Sequence, residues 1–201
     1  MPTSFVNHSL AVFTLGAHLF LILGGLYFLL SRRSEANHII SFFRRNSLAL
    51  AFIVTLASTA ASLFYSEVAG FEPCYLCWFQ RIFMYPQVVL LGMALARKEF
   101  KIVNYSLVLA LLGGLVSLYH NYIYYGGSSP LPCNAFGLGA SCLRVYVLEF
   151  GYITIPLMAL TGFLLLIFFL LLARSHYKNS LLSAALKGKD RERYKNKEES
   201  D

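Results

Sequence analysis

Long apolar runs separated by short polar segments set the pattern of this chain. Five of the runs have the length, about 20 residues, at which an α-helix rising about 1.5 Å per residue crosses about 30 Å of membrane hydrocarbon. The pattern therefore predicts five transmembrane helices. Their expected limits are about Leu10 to Leu30, Leu48 to Ala69, Cys77 to Ala96, Ile102 to Tyr124 and Phe150 to Ala173.

Composition supports a membrane rather than an aqueous environment. Of the 201 residues, 57% are hydrophobic and only 13% are charged, a balance too apolar for a water-soluble domain of this length. The first run could be taken for a secretory signal peptide. It has no basic region before it and is followed by arginines, so we predict a retained anchor.

Lysine and arginine fall mainly on one side of the predicted membrane. Fifteen of the 17 basic residues lie in the first connection, the third connection and the tail after Ala173, and only Arg81 and Arg144 lie on the other side. Because positive charge accumulates in short cytoplasmic loops, we expect an outside N-terminus and a cytoplasmic C-terminus. The net charge of +7 then reflects orientation, and no nucleic-acid partner is predicted.

All four cysteines, Cys74, Cys77, Cys133 and Cys142, lie on the outer side in this topology. Disulfides persist outside the cytoplasm, so the distribution indicates a redox role or a structural crosslink. Zinc is disfavoured because eight residues separate the second pair, where two to four are usual, and we predict no metal. The sequence leaves all three pairings open, with nearest neighbours as the working hypothesis.

The position of the first cysteine pair favours reactivity. Cys74 follows Pro73 and Cys77 opens the third span, where free backbone N–H groups and the helix dipole stabilise a thiolate. Arg81 lies four residues after Cys77 on the same helical face. It either anchors a short helix at the membrane surface or stabilises negative charge on Cys77 or on a bound cofactor.

His120, near the outer end of the fourth span, is the other polar candidate. It could donate a hydrogen bond or a proton to a quinone carbonyl. Packing among the neighbouring tyrosines is the alternative. The second cysteine pair lies in residues 126–142, where glycine and proline predict a loop able to present a disulfide to another protein.

Several stretches, taken in order, resemble the DsbB/BdbC-type disulfide oxidoreductases of bacterial membranes. They are CYLCWFQR and its continuation IFMYP at residues 74–86, SLYH at 117–120 and the paired loop cysteines, and FGYITIP at 150–156 resembles the BdbC branch. The resemblance covers about Leu48 to Ala173. It implies an all-α integral membrane protein in which the second to fifth spans form a four-helix transmembrane bundle, with one extra N-terminal transmembrane helix.

The resemblance also implies an activity and partners. Proteins of this type reoxidise a thioredoxin-fold partner of the DsbA or BdbD type and pass two electrons to a membrane quinone, either ubiquinone or menaquinone. They reside in the bacterial cytoplasmic (inner) membrane with their cysteines on the extracytoplasmic side. We therefore expect a thiol:quinone oxidoreductase.

Residue roles carry over by position in the motifs. The implied catalytic residues are Cys74, Cys77, Cys133 and Cys142, and the implied cofactor-binding residues are Arg81 and His120. Cys133 resembles the loop cysteine attacked by the partner, and Cys142 resembles its relay companion. Cys74 resembles the cysteine that exchanges with the loop pair, and Cys77 resembles the one beside the quinone.

Three regions follow from this interpretation. Residues 1–46 are an N-terminal anchor and basic cytoplasmic loop, 47–174 the redox bundle, and 175–201 a charged cytoplasmic tail that we expect to be disordered. The extra first span could anchor the chain, contact a partner or cover the bundle. The alternative functions are a vitamin K epoxide reductase-like enzyme, in whose family the loop cysteines precede the Cys-x-x-Cys, and a membrane scaffold with structural disulfides.

Overall fold

The computed structural model of the chain describes residues 2–30, 38–97, 99–127 and 142–198. Within these ranges the regular structure is helical apart from one isolated β-bridge. The helices are α1 (Pro2–Leu30), α2 (His38–Leu63), α3 (Tyr75–Arg97), α4 (Ile102–Tyr124) and α5 (Ile155–Glu198), and a π-helical turn (Phe64–Val68) continues α2. The predicted all-α class is confirmed.

Five helical segments, one of which combines α2 with the π-helical turn that continues it, are long and apolar enough to cross a membrane. These segments are Thr3–Tyr27, Ser41–Val68, Tyr75–Arg97, Ile102–Tyr124 and Ile155–Asn179. Large apolar side chains cover their outward faces, and Leu19, Val108 and Leu115 are each more than half exposed. Such a surface suits lipid as the surrounding solvent, so the predicted five spans are confirmed.

Four of the helices form a bundle and the first lies outside it. In the ring α2, α3, α4, α5, each helix packs against its two neighbours, whereas α1 packs on α5. The His18 Nε2 atom of α1 lies 2.8 Å from Thr161 Oγ1 of α5, and the Phe20 ring packs edge-on against Phe168. The extra helix thus covers one side of the bundle.

Small residues let the bundle helices approach closely. Gly113 of α4 is the clearest case, because a Cβ there would overlap the Phe163 ring and lie 2.9 Å from Phe83 Cβ. Buried apolar side chains from all four helices fill the interior around this contact. They include Leu48, Ala51, Met84, Leu91, Val103, Leu107, Ala110, Phe163, Leu166 and Leu170.

The fifth helix begins at Ile155, so the prediction that it starts at about Phe150 was wrong. Phe150 and Gly151 both have positive φ, at 51° and 76°, in a tight turn closed by two backbone hydrogen bonds between Glu149 and Ile153. Thr154 then caps the helix, since its side-chain oxygen accepts from the Leu157 N–H at 3.4 Å. Because the side chains of the turn are largely apolar, the pattern of hydrophobic residues did not show where the helix begins.

Other helices extend beyond their apolar runs. α1 begins at Pro2 rather than Leu10, α2 at His38 rather than Leu48, and α3 at Tyr75 rather than Cys77. α5 continues to Glu198, through charged residues expected to be disordered. Helix hydrogen bonds are local, so a helix that crosses lipid can continue into water when Lys, Arg and Glu, which favour helices, follow.

Candidate functional site

The first cysteine pair lies at the start of α3. The Cys74 carbonyl accepts a hydrogen bond from the Trp78 N–H at 3.1 Å, so Cys74 caps the helix and Cys77 lies in its first turn. Both residues are thiols, with Sγ atoms 3.3 Å apart. Cys74 is buried, whereas Cys77 is partly exposed. The helix start predicted for this pair is therefore present, shifted by two residues.

Cys142 joins this pair from the segment that precedes α5. It is buried, and it shares a small apolar cluster with Cys74, Tyr75, Leu76 and Ile123. Its thiol is within hydrogen-bonding reach of the Cys74 thiol. Cys74 therefore contacts a cysteine of each pair, while Cys133 lies outside the described residues.

The surroundings of Cys74 favour its thiolate. Hydrogen bonds with Cys142 and then with Cys77 lower the pKa of the Cys74 thiol, and a weaker contact with His120 adds to them. Burial of Cys74 opposes this change, because it disfavours the charged form. Cys74 is thus well prepared to act as a thiolate at the N-terminal end of α3.

His120 projects from α4 into the same cluster. The Gln80 amide nitrogen lies 3.2 Å from His120 Nδ1, and because an amide nitrogen only donates, the ring proton belongs on Nε2. Nε2 lies 3.8 Å from Cys74 Sγ and 3.4 Å from the Cys142 carbonyl oxygen. These contacts direct the polar atoms of His120 towards the cysteines. The sequence had suggested a quinone carbonyl or packing among the neighbouring tyrosines, and not the cysteines, as its surroundings.

Arg81 is held one turn below the cysteines by α2. Its Nε and Nη2 atoms donate to the side-chain and carbonyl oxygens of Ser62, both at 3.1 Å. The guanidinium also lies over the Trp78 ring, 5.4 Å from its centroid, and 6.0 Å from that of Tyr85. Arginine within a membrane span needs such partners. Two of its five N–H donors are used by Ser62, which leaves others for a ligand.

A cavity of about 480 Å³ brings these groups together. Its polar lining includes Cys77, Arg81 and His120, and most of the remaining wall is apolar. One wall belongs to α1, through Leu10, Phe13, Thr14 and Ala17. The volume falls within the roughly 300–1,000 Å³ of small-molecule pockets. A flat apolar ring with polar edges would fit a cavity with this lining.

Two residues of the site were missed from the sequence. Gln80, a buried amide in a membrane helix, carried a detectable signal, since such residues are rare unless they have a partner. Ser62 carried none, because a serine in an apolar helix commonly bonds its own backbone. The structure brings Cys74, Cys77 and Cys142 together with Arg81 and His120.

Comparison with known proteins identifies the family. Residues 44–173 match the family model described as "Disulfide bond formation protein DsbB". The chain is 47% identical over 113 residues to probable disulfide formation protein C 1 of Bacillus cereus, covering 53% of this chain and 76% of the relative. It is 39% identical over 126 residues to disulfide bond formation protein C of Bacillus subtilis, covering 61% and 88%.

A third relative lies outside Bacillus. It is the probable disulfide formation protein of Metapseudomonas resinovorans, 38% identical over 131 residues, which span 64% of this chain and 90% of the relative. No solved structure was found that matches the chain significantly. The matched residues contain α3, α4 and the described cysteines, and the resemblance seen in the motifs is confirmed. The chain belongs to the DsbB family of membrane proteins that form disulfide bonds, in its disulfide formation protein C branch, and is an oxidoreductase.

Proposed function

We propose that this chain is a thiol:quinone oxidoreductase of a bacterial cytoplasmic membrane. It oxidises the dithiol of an extracytoplasmic thioredoxin-fold protein of the DsbA or BdbD type and passes two electrons to ubiquinone or menaquinone. The observation that carries the proposal is the position of Cys74, whose thiol contacts both Cys77 and Cys142. Disulfide exchange requires a thiolate to reach the sulfur of another pair, and this contact supplies that proximity.

The proposed exchange begins at the loop. A partner thiolate attacks Cys133 of a Cys133–Cys142 disulfide, and Cys142 leaves as a thiolate. Cys142 attacks Cys74, which releases Cys77 as a thiolate, and the partner's second thiol displaces Cys133 to complete its own disulfide. Cys133 then attacks Cys142, which restores the loop disulfide and leaves Cys74 and Cys77 reduced. The partner has lost two electrons, and the first pair has gained them.

The cavity supports the second half of the reaction. A quinone bound there supplies an acceptor for two electrons and two protons, which returns the first pair to its disulfide. Arg81, fixed by Ser62, presents positive charge towards Cys77 and towards an acceptor oxygen. The Nε2–H of His120 stabilises a thiolate at Cys74. The basic residues of the inner connections support the orientation with the cysteines outside.

Quinone reduction by the purified protein tests the chemistry. With a reduced thioredoxin-fold partner and a soluble quinone, the wild-type protein should reduce quinone, and Cys77→Ser should abolish this while the protein still unfolds at its normal temperature. Continued quinone reduction by a folded Cys77→Ser protein would exclude the mechanism. A scaffold with structural disulfides would show no turnover in either protein.

A trapping experiment tests the direction of exchange. A partner that keeps only its attacking cysteine should accumulate a mixed disulfide with Cys133, because no second partner thiol is present to displace Cys133. Peptide mapping identifies the linked cysteine. An adduct found only on Cys74 would reverse the assigned order.

Arg81 is tested through quinone binding. Arg81→Ala removes charge-assisted hydrogen bonds worth roughly 1.5–3 kcal/mol each, so quinone affinity should fall by about tenfold to a hundredfold. Arg97→Ala, near the other end of the same helix, is the matched control. If the two variants bind quinone with equal affinity, Arg81 does not bind quinone and serves only as a membrane anchor.

A further inference from the structure

The cysteines and His120 form a cluster whose geometry suits a metal ion as well as thiol exchange. One ligand atom from each of Cys74, Cys77 and His120 lies within 4.8 Å of the others. The Cys142 thiol reaches the same Cys74 sulfur by a hydrogen bond. Two thiols and one imidazole therefore converge at this end of the bundle, with the Cys142 thiol next to Cys74, and all three cysteines are in the thiol form.

The spacing is close to that of a tetrahedral zinc site. Zinc bonds of about 2.3 Å to sulfur and about 2.0–2.1 Å to nitrogen place two sulfurs about 3.8 Å apart, and a sulfur and a nitrogen about 3.5 Å apart. Here the Cys74 and Cys77 sulfurs are 3.3 Å apart, and His120 Nε2 is 3.8 Å from Cys74 Sγ. Small side-chain rotations would satisfy both distances.

We propose that the reduced protein binds one Zn²⁺ through the sulfurs of Cys74, Cys77 and Cys142 and the Nε2 atom of His120. This is the Cys₃His set of closed structural zinc sites. In the sequence, the expected fourth ligand was Cys133, and its wide spacing from Cys142 made zinc unfavourable. The fold brings His120 to that position, although it is far from the cysteines in the sequence.

The neighbours of the cluster suit a bound cation. Ligation through Nε2 moves the ring proton to Nδ1, and rotation of the Gln80 amide lets its carbonyl accept that proton. The three thiols lose their protons on binding, so zinc with three thiolates carries one negative charge. Arg81, one turn further along α3, lies on the side where it can compensate that charge.

Zinc binding and the Cys74–Cys77 disulfide exclude each other, because both use the same two sulfurs. No electron is transferred on binding, so zinc holds the pair reduced until it dissociates. Zinc thereby acts as a reversible inhibitor of reoxidation. Metal binding itself does not depend on a quinone or on a protein partner, so its test is independent of the proposed electron pathway.

Cobalt is the first probe. The full-length protein, reduced with a phosphine in detergent without oxygen, should bind one Co²⁺ with the absorption of tetrahedral cobalt–thiolate, and Zn²⁺ should displace it. The disulfide form should bind none. Gln80→Ala should lower metal affinity by about 10- to 100-fold, as expected for a residue that positions a metal ligand. Failure of the reduced protein to bind either ion would overturn the proposal.

Thiol protection assigns the ligands in the wild-type protein, without relying on a variant that folds poorly. Alkylation followed by peptide mapping should show Cys74, Cys77 and Cys142 protected by Zn²⁺, with Cys133 labelled at an unchanged rate. His120→Ala should lose the cobalt absorption, and Cys133→Ser should keep it. Protection of Cys133 together with normal binding by His120→Ala would overturn the ligand set.

Discussion

The wall that α1 adds to the cavity yields a prediction about a helix outside the family match. The match to the DsbB family begins at residue 44, so α1 lies outside it. Yet Leu10, Phe13, Thr14 and Ala17 line the cavity that contains Cys77. Their spacing places them on one helical face. If quinone binds in this cavity as proposed, α1 contributes part of its affinity.

The helix is fixed in place along its length. His8 Nδ1 lies 3.5 Å from a Glu149 carboxylate oxygen, beside the turn before α5. Deeper in the membrane, the contact between His18 and Thr161 links α1 to α5. A wall held at two levels costs a ligand little ordering entropy when it binds. Apolar contacts between a bound quinone and α1 should therefore strengthen the binding of the quinone.

Leu10→Ala is the perturbation that measures this contribution. It removes three carbon atoms from a half-buried side chain, and at about 0.8 kcal/mol per fully buried methylene the loss is about 1–1.5 kcal/mol. Quinone should then bind about fivefold to tenfold more weakly. Val12→Ala, half exposed on the opposite side of α1, is the control and should leave affinity unchanged.

Tryptophan fluorescence provides an assay independent of turnover. Trp78 is the only tryptophan of the chain and lies beside Arg81, so a quinone in the cavity should quench it. The reasoning about α1 is refuted if Leu10→Ala and Val12→Ala bind quinone equally well. If the wild-type protein itself shows no saturable quenching, the cavity does not bind quinone, and the result says nothing against the contribution of α1.

Two further predictions concern reactivity and stability. Because hydrogen bonds with Cys142 and Cys77 lower its pKa, reduced Cys74 should still be alkylated in mildly acidic solution, where an ordinary thiol with a pKa of about 8.5 is protonated. Cys142→Ala should shift that rate profile to higher pH, and an unchanged profile would contradict the cause assigned here. Gly113→Ala should destabilise the protein by about 1–3 kcal/mol in thermal unfolding, because its Cβ meets two phenylalanines. Gly114→Ala, with no contact closer than 3.6 Å, should not, and equal losses would argue against the close approach.

The sequence predicted the number of membrane helices because hydropathy measures compatibility with lipid. It placed the limits of α4, Ile102 and Tyr124, correctly, since Lys101 directly precedes that run and Gly126 and Gly127 follow it closely. It failed at the start of α5, where Gly151 and Thr154 decide the boundary within an apolar stretch. Local backbone conformation and capping, which hydropathy does not register, determine where such a helix begins.

The site was predictable only as far as local spacing determines it. Cys77 and Arg81 share a face of α3 whatever surrounds that helix. The meeting of Cys74 with Cys142 and His120 depends on how three elements distant in sequence are rotated and packed. Helix periodicity contains no information on that rotation, so the contacts of His120 and the Ser62 partner of Arg81 emerged only from the fold.

Polar contacts between the helices explain how that rotation is fixed. Lipid tails are as apolar as leucine, so burial alone scarcely distinguishes one apolar face of a membrane helix from another. An unpaired polar group in hydrocarbon is costly, and pairing it selects a single rotation. The contacts that link neighbouring helices include Arg81 with Ser62, Gln87 with the Ser106 carbonyl, Asn121 with the Pro156 carbonyl, and His18 with Thr161. The contact that aligns α3 with α2 is also the one that directs Arg81 at the cavity, so the orientation of the bundle and the charge of the site have one structural cause.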